Sequence, residues 1–194
     1  MTPPAVDSRP FSLALSAMPL DPPLSEADHT AGPADALVTL VQYGDFECPY
    51  SKDVHDLVAD IRQHHPDGVR FAFRHFPLRP HPNALYAALA AEEAARQGGF
   101  WLLHDRMYDH QLSLRPPQLA AHAEAVGLDG EAVLRAVESK EDEGAVLRQK
   151  RQGVRAGVRS TLGLWIDGAW LEEDDLEEAV IARVIRPLQA AERA

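Results

Sequence analysis

Leu37-Val38-Thr39-Leu40-Val41-Gln42-Tyr43-Gly44-Asp45-Phe46-Glu47-Cys48-Pro49-Tyr50-Ser51 changes period part of the way along. Residues 37–43 are a short, β-branched apolar run, the pattern of a buried strand. Pro49 suits the first helical turn, where its missing N–H costs nothing. Val54, Leu57, Val58 and Ile61 then recur at i, i+3, i+4 and i+7, and Pro66-Asp67-Gly68 ends that helix. Val69, Phe71 and Phe73 alternate with Arg70, Ala72 and Arg74 in strand period. Strand, helix and strand over this length predict a βαβ unit with parallel strands.

Downstream, residues 83–158 are rich in helix formers. Helices are expected over Asn83–Gln97, stopped by Gly98-Gly99, and over Phe100–Gln111, Pro116–Val126, Gly130–Glu138 and Asp142–Gly157. Leu164 to Leu171 places two apolar arms about Asp167-Gly168, a type I′ hairpin signal. A last helix, Glu172–Arg186, opens on carboxylates that suit the positive end of its dipole, and Pro187 follows it. The order is βαβ, a helical block over about 82–158, then ββα. Upstream, Pro3, Pro4, Pro10, Pro19, Pro22, Pro23 and Pro33 oppose both helix and central strand. Residues 1–34 therefore read as an extended, flexible arm before one domain over 35–190.

The formal net charge of -11 argues against nucleic-acid backbones and anionic membrane surfaces as partners. No apolar run approaches the roughly 18 residues of a membrane span. Phe11–Leu20 is broken by Ser12, Ser16 and Pro19, so a cytoplasmic protein is expected rather than an exported one. Cys48 is the single cysteine of the 194 residues, which rules out an internal disulfide and suits a reducing compartment. At a helix start, unpaired N–H groups and the dipole favour the thiolate, the nucleophilic form. Ser51 stands one turn on, where its hydroxyl is expected to donate to the sulfur. Glu47 opposes the charge on that sulfur, and His75 would activate the thiol if the second strand ends beside the helix. All of this requires an accessible sulfur.

Phe73-Arg74-His75-Phe76-Pro77-Leu78, His81-Pro82, Gln97-Gly98-Gly99-Phe100-Trp101 and His104-Asp105 follow the opening motif in order. On these residues the chain resembles the bacterial DsbA-like branch of the thioredoxin superfamily, from about Asp28 to the final helix. The resemblance implies an α/β thioredoxin fold with an all-helical insertion between its halves. It also implies thiol–disulfide oxidoreductase chemistry on protein or peptide substrates, gripped around Pro49, Tyr50, Thr161 and Leu162. Two positions depart from the family pattern. Ser51 replaces the second cysteine of Cys-Pro-Tyr-Cys, and Leu162 replaces the cis-proline before the third strand. A cis bond before a non-proline residue costs about 2.5–4 kcal/mol, so Thr161–Leu162 is expected to be trans.

With Cys48 alone, an attacked disulfide leaves a mixed disulfide that a second thiol must release, glutathione being the obvious one. The chain is thus at most a monothiol enzyme needing no bound cofactor. Alternatives are a redox-inactive binding module using the same groove, or a glutathione-dependent isomerase or transferase. Among nine histidines there is no His-x3-His pair, and none lies at ligand spacing from Cys48, so no metal site is expected. His55 reads as a surface or packing residue, His104 as a buried hydrogen-bonded one, and Trp165 and Trp170 as packing.

Overall fold

A computed structural model of the chain describes residues 19–159, 161, 163–171 and 176–193. The apolar run forms β2 (Val38–Gly44) and the alternating run β3 (Val69–His75), paired in parallel so that Gly44 stands opposite His75. Between them runs α1 (Pro49–His64), with Pro49 in its first turn and Cys48 at its N-cap. Five helices follow: α2 (Ala84–Arg96), α3 (Phe100–Asp109), α4 (Pro116–Ala125), α5 (Gly130–Ser139) and α6 (Glu143–Arg155). The hairpin of β4 (Leu164–Ile166) and β5 (Ala169–Trp170) turns on Asp167 and Gly168 at φ 52° and 76°, as a type I′ turn requires.

The sheet order is β1-β3-β2-β4-β5, with β4 antiparallel to β2. Its outermost strand, β1 (His29–Ala31), lies within the segment expected to be an arm. Pro19 also bridges Ala169. Residues 19–33 are held because Arg74, only 2% exposed, directs four of its five N–H donors there. It makes paired hydrogen bonds to Asp28 at 2.6 and 3.0 Å. Its remaining donors reach the Pro22 and Pro23 carbonyls and the Tyr43 hydroxyl, at 2.8, 3.1 and 2.9 Å. Burial alone would raise the Asp28 carboxyl, but the guanidinium outweighs it and holds it below its ordinary value. A proline count carries no trace of such a partner on a distant strand.

Two apolar layers cover the sheet. Val38, Leu40, Phe71 and Phe73 face the main core with α1, α2, α3 and the C-terminal helix. Val41, Tyr43, Ala72 and Trp165 face a smaller one with Phe76, Ala156 and Val158. There α6 comes so close that a Cβ on Gly153 would stand 2.8 Å from the Tyr43 ring.

The expected opening of the last helix, Glu172–Asp175, lies outside the described residues. Its expected end is corrected: helix continues through Pro187 to Ala191, as α7 (Leu176–Val180), a π-turn (Ile181–Ile185) and α8 (Arg186–Ala191). Arg186 N–H reaches back to the Ile181 carbonyl. Pro187 thereby enters in the first turn of a new α segment, where it needs no donor.

Candidate functional site

Cys48 is extended (φ -83°, ψ 124°), with its carbonyl accepting from Lys52 N–H at 3.2 Å as α1 begins. The loop before it is pinned from two sides. Gln111 Nε2 donates to the carbonyls of Phe46 and Cys48 at 2.8 and 3.0 Å. Asp45, whose side chain is fully buried, accepts from Glu47 N–H at 2.8 Å and Leu78 N–H at 2.7 Å, and meets His81 Nδ1 at 2.8 Å. Burial pushes the Asp45 carboxyl up, and these donors only partly offset it. Behind the loop the Tyr108 hydroxyl is buried so near Gly44 that a Cβ there would stand 2.9 Å from it. Sequence reasoning missed Gln111, Asp45 and Tyr108, because their roles depend on chain segments far apart.

The donor to sulfur is Thr161, whose Oγ1 lies 2.8 Å from Cys48 Sγ. Ser51, expected in that role, is committed elsewhere: its Oγ accepts Asp45 N–H at 3.0 Å and donates to the Thr161 carbonyl at 3.3 Å. Thr161 therefore spans both residues, and Cys48 is 3% exposed, which corrects the expectation of an accessible sulfur. Pro49 and Tyr50 do stand at the surface, Tyr50 at 60% exposure. Leu112, next to the pinning Gln111, is fully exposed. Leu162 and the Thr161–Leu162 bond lie outside the described residues.

The two auxiliary residues go elsewhere as well. Glu47 accepts from Asn83 Nδ2 at 2.8 Å and from its N–H, at the start of α2. His75 is buried at the end of β3 beside the Phe46 ring, with its Nε2 3.1 Å from Glu92 Oε1, and so faces Glu92 instead of Cys48.

Histidines that are scattered along the chain meet in the fold. His29, His75 and Glu92 bring their ligand-capable atoms within 4.8 Å of one another, as do His55, His104 and Asp105. Burial pushes His75 down and His104 down to about 4. Burial would raise Glu92 and Asp105, yet their imidazole partners hold both well below the carboxylate range. His55 is buried and bonded to Asp105 and Asp56, which lift it above its ordinary value despite burial. His104 is buried and hydrogen-bonded, and Trp165 packs on Trp170, as the sequence suggested.

A family model described as "Thioredoxin" matches residues 24–183. The chain belongs to the thioredoxin family. This thioredoxin-family chain shares its fold with DsbA-type proteins. It superposes on oxidised BdbD from Bacillus subtilis with a TM-score of 0.70 at 20% identity, covering 80% of this chain and 92% of that one. A thioredoxin-like oxidoreductase from Silicibacter pomeroyi gives 0.68 at 23%, over 88% and 95%. In sequence it is similar to Na(+)/H(+) antiporter NhaA 3 of Salinispora tropica, 45% identical over 58% of this chain and 17% of that protein. It is 37% identical to NhaA of Herminiimonas arsenicoxydans over 78% of this chain and 24% of the relative. The chain thus spans about a fifth of the length of these curated relatives. No helix among the described residues is long and apolar enough to cross a membrane.

Proposed function

We propose that this thioredoxin-family protein is a monothiol thiol–disulfide oxidoreductase in a reducing, cytoplasmic compartment, acting on protein or peptide disulfides. The observation that carries the reading is the Thr161 hydroxyl aimed at Cys48 Sγ from 2.8 Å at the mouth of α1. It places a donor where negative charge gathers on sulfur, alongside the free N–H groups of the first turn. In the forward step the Cys48 thiolate attacks a substrate disulfide, forming a Cys48–substrate disulfide and expelling the other sulfur as thiolate, which takes up a proton. A glutathione thiolate then attacks the substrate sulfur, which leaves as a glutathione mixed disulfide and returns Cys48 to the thiolate. Substrate enters where Thr161 now stands, across a rim of Pro49, Tyr50 and Leu112 that suits an apolar peptide. The antiporter portion of the longer relatives is one candidate for a protein partner.

Incubation with glutathione disulfide should give one glutathione adduct, on Cys48, released by reduced glutathione. Insulin reduction should not proceed without glutathione, since Ser51 cannot resolve the intermediate. Absence of the adduct would remove the enzymatic reading. The 3% exposure of Cys48 favours one second reading, a binding module that presents Tyr50 and Leu112 to a partner without redox chemistry. Under that reading Cys48→Ala leaves partner capture intact, whereas the enzyme loses all exchange activity.

A further inference from the structure

His29 on β1, His75 at the end of β3 and Glu92 on α2 converge on one carboxylate oxygen. His29 Nε2 lies 3.2 Å and His75 Nε2 3.1 Å from Glu92 Oε1. Two ligands each about 2.05 Å from a tetrahedral zinc ion stand about 3.3 Å apart, close to both separations. His75 is 1% exposed, yet neither of its ring nitrogens makes an aligned hydrogen bond, even with Glu92 so near. His29 Nε2 hydrogen-bonds Glu92 Oε1, whereas His75 Nε2 stands beside the same oxygen off the hydrogen-bond axis, as neighbouring ligands of one ion do. A buried imidazole with no aligned hydrogen bond costs free energy that a ligand would offset.

We propose that His29, His75 and Glu92 form a site for a divalent ion of the zinc type, bound through the two Nε2 atoms and Glu92 Oε1, with the remaining position open to water. Two imidazoles and a carboxylate are a ligand set that zinc takes, and zinc prefers it over the all-oxygen sets of calcium and magnesium. His29 and Glu92 have 16% and 18% of their side chains exposed, which leaves an entry path. The ion would join the edge strand and the helical insertion to the end of β3, beneath the Phe46 ring of the cysteine loop. The second trio, His55, His104 and Asp105, is the weaker candidate: its carboxylate is 58% exposed and His104 bonds its own chain neighbour. The proposal is independent of the thiol chemistry.

The full chain, stripped with chelator, is dialysed against zinc chloride and its metal measured by mass spectrometry. Wild type and Cys48→Ser should each bind one zinc with micromolar affinity or better, and His55→Ala should do the same. His29→Gln and Glu92→Gln should bind at least 100-fold more weakly. Cobalt(II) titrated into the unmutated protein should give visible d–d absorption without a thiolate charge-transfer band, a readout that needs no variant to fold. No bound zinc, loss of binding in Cys48→Ser or His55→Ala, full binding in both glutamine variants, or a thiolate band would each overturn the assignment.

Discussion

Thr161 is the residue on which the chemistry of Cys48 turns, since its Oγ1 is the recorded hydrogen-bond donor to the sulfur. Thr161→Val keeps the shape and removes the donor. A hydrogen bond worth about 0.5–1.5 kcal/mol predicts a 2- to 10-fold slower exchange with glutathione disulfide, read by intact mass. Asp45 holds the same loop by three contacts in a fully buried setting. Asp45→Asn offers one acceptor where two oxygens are used, and should cost about 1–3 kcal/mol in urea unfolding. An unchanged midpoint would show that the loop does not depend on it. The position of Cys48, Pro49 and Ser51 at a helix start was legible because such starts announce themselves in proline and period. The partner of the sulfur was not, because 113 residues separate Thr161 from Cys48.

Among the elements, β2, α1, β3, the five inserted helices and the hairpin follow from periodicity and turn residues. Each is decided by contacts within a few residues. The errors concern elements settled by distant partners. β1 exists because Arg74 ties Asp28 and the carbonyls of Pro22 and Pro23 to the sheet. Arg74→Leu strands a buried carboxylate and should destabilise by about 3–5 kcal/mol. The same pair sets an acid dependence. The folded Asp28 carboxyl lies below its unfolded value of about 3.9, so its contribution is present above that pH and is lost as pH falls through the lowered folded value. Asp28→Asn should therefore flatten the loss of urea stability below about pH 4. A slope identical to wild type would contradict the account. Close approach of α6 gives a further expectation: Gly153→Leu should drive it off Tyr43 and Phe76 and lower the melting temperature, measured by circular dichroism.

The molecule as a whole joins a thioredoxin-type core to a helical block, and the cysteine loop sits where the two meet. Gln111, just beyond α3, holds the Phe46 and Cys48 carbonyls, so the block sets the attitude of the sulfur as directly as the core does. Family and fold were legible because several motifs occur in the right order. The closure of the site was not, because exposure of one sulfur depends on a segment that folds back from the other half. The account stands on Cys48 being reachable in the native protein once Thr161 swings aside. The direct test is the rate of Cys48 alkylation by iodoacetamide at neutral pH, in the native protein and in urea. Native alkylation slowed by less than 100-fold relative to the unfolded chain is predicted; protection of 100-fold or more would contradict it.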